Sequence, residues 1–290
     1  MDFSVTAGLV LVAVVSLGVY TLFVAPYELR VTRLELPMPG LAPELDGYTL
    51  GVISDIHHWP GSSLRHVERA ITRLNAARPN AVLLLGDFSV SWKHTPALSA
   101  GFYRRAMTQL EPTLRRIQAR DGVFAVLGNH DHYAGGLRVA RWLRNVGVRV
   151  LQNDCALLGP RPGAQFLLGG VGDAREDRVD AAAGCGAHPP ELPAIVMAHN
   201  PDAVLAFPAP GADHRRRIDL VVSGHTHGGQ FVIPGFGAPV TFSKVCTRKT
   251  ASGFVPNDRA PLYVNRGLGT QLPGRFNCPP EMVIVKLKAK

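Results

Sequence analysis

The chain has no basic residue before Arg30, and Asp2 is the only charged side chain before Val5. A cleaved signal peptide opens with a basic region, so this absence speaks against one. The run Val5–Val24, VTAGLVLVAVVSLGVYTLFV, carries no charge. About 20 such residues suffice to cross the roughly 30 Å hydrocarbon core as a helix. The run also lacks the polar stripe that a soluble surface helix turns to water. The expectation is an uncleaved transmembrane anchor over residues 1–27, with Tyr20 and Tyr27 near an interface, a linker over 28–45 and a domain over 46–290. Arg30 and Arg33 follow the span, which by the positive-inside rule favours a cytoplasmic domain at the cell membrane.

Cysteine is scarce too. The four, at 155, 185, 246 and 278, form no C-x-x-C pair and no short zinc-ligand spacing, which excludes a zinc ribbon or a thioredoxin-like motif. They read as buried or free thiols of a reducing compartment, an even count leaving disulfides open. There is no internal repeat and no low-complexity tract, so solenoids and disordered tails are excluded. Acidic residues are outnumbered: 31 Lys and Arg against 22 Asp and Glu give a net charge of +9. That balance suits a domain held against anionic lipid or one attracting phosphate-bearing substrates, although clusters such as Arg215–Arg217 read as solvated faces. No basic motif interleaved with aromatics is present, so nucleic acid is an unfavoured partner and a nuclease ranks as an alternative.

Beyond Asp46 lie short apolar runs of the kind that form buried strands. YTLGVIS (48–54) stops at Asp55-Ile56-His57, AVLLLG (81–86) at Asp87, and VFAVLG (123–128) at Asn129-His130-Asp131. AIVMA (194–198) stops at His199-Asn200, and IDLVVSG (218–224) at His225-Thr226-His227. Apolar residues at threes and fours predict helices over 64–77, 96–119 and 136–146. Strands alternating with helices imply βαβ units and a largely parallel sheet, whose ligand crevice lies beyond the carboxyl ends of the strands. Five polar clusters are thereby directed to one edge.

Oxygen and imidazole donors in this mixture suit Mn²⁺, Fe, Zn²⁺ or Mg²⁺, and they outnumber what one four- to six-coordinate ion can use. Two divalent ions fit better, and ions about 3.5–4 Å apart need a bridging carboxylate. Asp87, alone on its loop, is the candidate. Two histidines on the turn Gly224–Gly229 can then serve neighbouring ions, with Gly228 and Gly229 keeping the backbone clear of substrate.

The segments D-I-H, G-D, G-N-H-D, His199 and G-H-T-H, each after an apolar run and in this order, resemble the calcineurin-like metallophosphoesterase superfamily. A-H-N-P-D, G-H-T-H-G-G-Q and the tail G-L-G-T with P-P-E look most like its bacterial YkuE/YaeI-type membrane-associated members. The resemblance covers Asp46 to the C-terminus. It implies an α/β fold, a four-layer α/β/β/α sandwich, and a phosphohydrolase using metal-activated hydroxide. It implies that Asp55, His57 and His227 bind one metal, that Asn129, His199 and His225 bind the other, and that Asp87 bridges. His130 would lie beside the scissile phosphate with Asp131 orienting its ring. A phosphomonoester, phosphodiester or pyrophosphate substrate, lipid-linked or nucleotide-type, is the partner this implies. A non-catalytic metal-binding scaffold is the rival from another class.

The first motif departs from the pattern at His58-Trp59-Pro60-Gly61. His58 reads as an exposed loop residue, and Trp59 as a stacking, membrane-facing or core residue. Arg266 and Arg275 are candidates for phosphate contact. A hairpin is expected from 155–158 and 165–170, later strands over 231–233, 261–264 and 282–287, and no assignment for 172–191.

Overall fold

The computed structural model describes residues 3–180, 188–208 and 217–290. Part of the unassigned stretch 172–191, Cys185, and Arg215 and Arg216 of the arginine cluster lie outside the described residues. The apolar N-terminus forms α1 (Phe3–Val19), prolonged by a wide helical turn over Tyr20–Val24 and a tight one over Ala25–Tyr27. The continuous segment Ser4–Tyr27 is long and apolar enough to cross a membrane; its most apolar stretch is unburied, and only its end, at Ala25 and Pro26, is buried.

Two six-stranded sheets come after it. The first contains β1 (Arg30–Met38), β2 (Thr49–Ile53), β3 (Ala81–Leu84), β4 (Val123–Ala125), β5 (Val148–Val150) and β12 (Glu281–Ala289), in the order β1-β12-β2-β3-β4-β5. The second contains β6 (Asp154–Arg161), β7 (Ala164–Gly170), β8 (Ala194–Ala198), β9 (Leu220–Ser223), β10 (Gly253–Val255) and β11 (Leu262–Val264), in the order β10-β11-β9-β8-β7-β6. The pairs β2–β3, β3–β4, β4–β5, β7–β8 and β8–β9 are all parallel.

Side chains alternate across each strand, and both faces are covered, which is why these strands read as unbroken apolar runs. Leu50, Val52, Leu83 and Phe124 meet Phe166, Leu168, Ile195, Met197 and Val222 between the sheets. Ile53, Val82 and Leu84 face outward onto α2 (Arg65–Ala76), α3 (Pro96–Leu114) and α5 (Gly136–Asn145), through residues such as Ile71, Leu74, Leu110 and Leu143. The outer face of the second sheet is covered by a tight helical segment, Pro201–Ala206, and by loops carrying Cys246 and Ala260. These are the four layers of the expected sandwich, the last one built from short elements.

Several local expectations need correction. The stretch 28–45, read as a linker, contains β1, which pairs with β12 from Arg30↔Glu281 to Met38↔Ala289. Its alternation of charged and apolar residues, RVTRLELPM, is an edge-strand pattern that a scan for buried runs misses. Residues 231–233 form only isolated bridges, Phe231 to Phe276 and Ile233 to Gly237. Cys155 is disulfide-bonded, whereas Cys246 and Cys278 are free and buried. Of the two readings left open, free thiols and disulfides, both occur: a crosslink lies on β6 at the rim of the second sheet, and Cys246 and Cys278 remain thiols.

β1 buries Leu36 and Met38 in the core between the sheets. Exposing two side chains of this size removes about 3–6 kcal/mol of transfer free energy, before any lost ladder hydrogen bond is counted. A chain beginning at residue 46 should therefore unfold at clearly lower urea concentration than one beginning at residue 28, or aggregate. Equal midpoints in urea titration would show that β1 is dispensable.

Candidate metal centre

Every expected donor lies just past the carboxyl end of a strand. Asp55 and His57 come after β2, Asp87 after β3, and Asn129 opens the short helix α4 (Asn129–Tyr133) after β4. His199 comes after β8, and His225 and His227 after β9, so the two sheets contribute from opposite sides. All seven are buried. Five of them have left-handed backbones: Asp55 (φ 49°), His57 (φ 43°), Asp87 (φ 55°), His225 (φ 69°) and His227 (φ 52°). Non-glycine residues seldom adopt this region, although Asp and His tolerate it better than most. It persists where surrounding structure fixes it, and it is common at functional sites.

The donors form overlapping groups. Asp55, His57 and His227 offer ligand atoms within 4.8 Å of one another, and so do Asp87, His199 and His225. Nε2 of His57 and Nε2 of His227 face each other at 3.1 Å, with Asp55 Oδ1 at 3.9 and 3.6 Å from them. Nε2 of His199 is 3.1 Å from Nδ1 of His225. Between the groups stands Asp87, whose Oδ2 is 3.5 Å from His57 Nε2 and 3.2 Å from His199 Nε2. One carboxylate oxygen is thus shared by both.

Burial holds His57 and His225 well below the ordinary imidazole value and takes His227 to about 3. Burial raises Asp55 to about 6. Burial opposes the charge on Asp87 and His199 as well, but their mutual attraction prevails, pushing Asp87 well down and His199 well up. Neutral imidazoles with nitrogens 3.1 Å apart have at most one proton to share. Asn129 Oδ1, buried, has no hydrogen-bond partner. Convergent nitrogen lone pairs, carboxylate oxygens and an unpaired amide oxygen are the donor chemistry of a divalent cation, and these buried groups fit a metal site.

Two glycines let the groups close up. A Cβ on Gly128 would stand 2.2 Å from Asp87 Oδ1, and one on Gly224 would stand 2.3 Å from Asp55 Oδ2. Gly228 and Gly229, by contrast, are required by packing rather than by substrate clearance. Side chains there would strike Cys278 Sγ at 2.7 Å and Ala238 Cβ at 2.2 Å.

His130 adjoins the first group: its ligand nitrogen lies within 4.8 Å of donors of His57 and Asp87. Its ring is oriented by Ser91, not by Asp131 as expected. Nδ1 lies 2.8 Å from the Ser91 carbonyl oxygen and 3.1 Å from the Ser91 amide, so the Ser91 backbone engages that nitrogen in either tautomer. Asp131 turns away to the backbone, accepting from the amides of Asp87 (2.9 Å), Phe88 (3.1 Å) and Gly128 (2.8 Å) and from the Tyr103 hydroxyl. Sitting two residues along a helix from Asn129, its carboxylate reaches the β3 loop rather than the imidazole. It is a positioning residue for that loop. Ser91 and Tyr103 were not foreseen, because the one acts through its backbone and the other is a helix residue distant in sequence.

Asn129 and His130 open onto a cavity of about 610 Å³ whose walls include Trp92, Lys93, His94, Arg175, Phe242 and Gln271. Trp59 lies exposed against the edges of Trp92 and Phe102, while His58 is buried, with Nε2 3.0 Å from Gln109 Oε1. His58 is therefore no exposed loop residue. Arg266 is half-buried, its Nε donating to Ser252 Oγ at 3.2 Å.

Arg275 cannot contact phosphate. It is fully buried, and its guanidinium donates to the carbonyl oxygens of His227 (3.4 Å), Cys278 (3.1 Å), Arg266 (2.9 Å), Gly267 (3.3 Å) and Gly269 (2.5 Å). Arg275→Ala strands these acceptors at about 1–3 kcal/mol for each one left unpaired. The expected result is a large fall in the urea midpoint. A phosphate-binding role would instead raise KM and leave stability unchanged.

A calcineurin-like phosphoesterase family model matches residues 48–229, which include all seven donors together with His130 and Asp131. The chain is 27% identical to the uncharacterized metallophosphoesterase YkuE of Bacillus subtilis, over 93% of this chain and 89% of that one. It is 27% identical to phosphodiesterase YaeI of Escherichia coli, over 90% and 88%. It is also 28% identical to UDP-2,3-diacylglucosamine pyrophosphatase LpxG of Chlamydia trachomatis, over 97% of both chains. With donors that converge as this family's motifs require, the chain belongs to the calcineurin-like phosphoesterase family and is a hydrolase acting on phosphoester bonds.

Proposed function

We propose that this chain is a membrane-anchored hydrolase of a phosphodiester or phosphoanhydride bond, working with two divalent ions on a lipid-linked or nucleotide-type substrate. The observation that carries this reading is Asp87 Oδ2, shared between His57 and His199. Asp55, His57 and His227 would hold one ion, Asn129, His199 and His225 the other, and Asp87 both. Imidazole with carboxylate favours Mn, Fe or Zn over Mg. Such a pair supplies Lewis acidity to the phosphoryl oxygens and lowers the pKa of a bound water.

The protein's own groups supply the rest. With Nδ1 held by the Ser91 backbone, His130 has Nε2 left to face the substrate, where in its protonated form it would give a proton to the leaving oxygen or stabilise charge on the phosphate. Lys93 and Arg175 line the adjoining cavity and offset substrate charge there. The similarity to a protein named UDP-2,3-diacylglucosamine pyrophosphatase supports a substrate with nucleotide and lipid parts. Two features oppose one another on topology. Arg30 and Arg33 after the span favour a cytoplasmic domain, whereas the disulfide at Cys155 is a mark of an oxidising compartment. Protease protection in sealed vesicles decides between them.

Reconstituted with Mn²⁺, the full chain should hydrolyse bis-p-nitrophenyl phosphate or p-nitrophenyl phosphate and lose that activity on chelation. No metal-dependent turnover on a broad phosphoester panel would sink the reading. Asp87→Asn should lower metal content by elemental analysis as well as turnover, because a neutral amide bridges two cations poorly. His130→Ala should keep its metal while kcat falls by about 10²–10⁴-fold. The fall should be smaller for an acidic phenol leaving group than for an alkyl alcohol. Loss of one metal per chain in His130→Ala would make His130 a ligand instead.

A further inference from the structure

The anchor enters the domain at the edge that carries the donors. β12 runs antiparallel to β2, pairing Val283 with Val52, so its first residue, Glu281, lies at the end where β2 stops before Asp55. β1 is parallel to β12 and starts with Arg30 opposite Glu281. The chain leaving the anchor at Tyr27 therefore meets the first sheet beside the site.

A second connection ties anchor and cavity together. The Arg275 amide donates to the Thr21 carbonyl at 2.9 Å, and a Cβ on Gly274 would lie 3.0 Å from that oxygen and 3.1 Å from Leu22. Thr21 is three residues inside the uncharged run that ends at Val24, about 5 Å below its end at 1.5 Å per residue. Gln271, which lines the cavity, is four residues from Arg275, a reach of at most about 14 Å. The loop Gln271–Arg275 thus touches the membrane-crossing segment at one end and the cavity at the other.

The surroundings of that loop are apolar and exposed. Gln230 fastens it, donating from Nε2 to the carbonyls of Leu272 (2.6 Å) and Gly274 (2.8 Å). The neighbouring turn Ile233–Gly237 is joined through Val232, whose amide donates to the Phe276 carbonyl at 2.9 Å. Leu272, Ile233 and Phe236 are exposed by 57%, 45% and 44%, on segments stitched to the loop. Arg248 stacks over Phe236 at 4.3 Å. On the other flank of the anchor's exit, Arg30, Arg69 and Arg73 line an open cavity of about 470 Å³. Apolar side chains bordered by arginine, level with the end of a membrane-crossing helix, match the layered chemistry of a lipid headgroup region.

We infer that the edge formed by Leu272, Ile233 and Phe236 docks on the surface of the bilayer holding the anchor, so that the catalytic cavity opens at the headgroup layer. An amphiphilic phosphoester is then taken from the leaflet with its apolar part still in lipid. This last step rests on the phosphohydrolase reading, whereas the docking itself does not.

The test uses the full chain in phosphatidylcholine–phosphatidylglycerol vesicles. An environment-sensitive fluorophore is attached at Leu272→Cys, Phe236→Cys and, as control, Pro162→Cys, with labelling of the parent chain subtracted. Pro162 lies in the β6–β7 turn, where β7 begins. Since β7 is parallel to β8, this is the end opposite His199. Nitroxide-bearing lipids should quench the labels at 272 and 236 strongly and the one at 162 little. Equal quenching at all three overturns the docking.

Turnover is then compared for p-nitrophenyl hexadecyl phosphate in the vesicles and bis-p-nitrophenyl phosphate in water. The double variant Ile233→Asp, Leu272→Asp should lose about tenfold on the first and stay within about twofold on the second. Equal effects on both, or none, overturn capture from the leaflet. Quenching with no turnover of either ester by the parent chain defeats the phosphohydrolase reading and leaves the docking standing. Turnover without selective quenching does the reverse.

Discussion

A negative charge buried among imidazoles is the constraint around which this molecule is arranged. Asp87 is 2% exposed, and an isolated carboxylate in such a place is strongly unfavourable. Here it is offset on one side by His199 and on the other by the amide of His130, which donates to Oδ1 at 2.9 Å. Asp131, equally buried, would add repulsion, and burial together with Asp87 does raise its own carboxyl. Its three backbone amides and the Tyr103 hydroxyl compensate. Removing any member leaves another charge or amide unpaired, so the group is held as a unit.

Local backbone geometry expresses the same constraint. Left-handed conformations at Asp55, His57, Asp87, His225 and His227 turn the chain sharply just past a strand end. The Asp55 amide donates to Gly86 and the His57 amide to Asp87, each at 3.0 Å, so the loops after β2 and β3 fix each other. Across the sheets, the His225 amide donates to both Asp55 oxygens at 3.1 and 3.0 Å. The strain is carried by rigid strands on both sides rather than by mobile loops. That rigidity keeps like-charged and lone-pair-bearing groups at close distance with only protein to hold them.

Legibility in the sequence tracked the range of the interactions. β8 is found at its expected residues, and β2, β3, β4 and β9 lie within one to three residues of theirs at each end, because a strand buried on both faces leaves a continuous apolar run. The donors were legible for a related reason: in a parallel sheet, the residues just past each run must gather at one edge. β1 was not, since an edge strand with one wet face alternates, and RVTRLELPM looks like a connector until β12 is laid beside it. Arg275 was misread because charge in sequence gives no sign of burial, and five carbonyl acceptors, four from its own C-terminal loops and one from His227, decided its place. Asp131 was misassigned likewise. Its neighbour in sequence is His130, yet its partners in space are the amides of Asp87 and Phe88 in the loop after β3, the amide of Gly128 and the Tyr103 hydroxyl.

The order of strands in the first sheet settles a larger matter. If β12 ran parallel to β2, β1 would start at the far end and the apolar N-terminal helix would join the domain away from the donors. The antiparallel β12 reverses this and puts Arg30, Glu281 and the end of β2 at one level. Glu281 secures that level by accepting from Thr32 and from the Tyr263 hydroxyl, the latter at 3.0 Å, so it links both sheets to the first strand after the anchor. Anchor and metal-binding edge are therefore neighbours through strand direction, a property of the whole sheet.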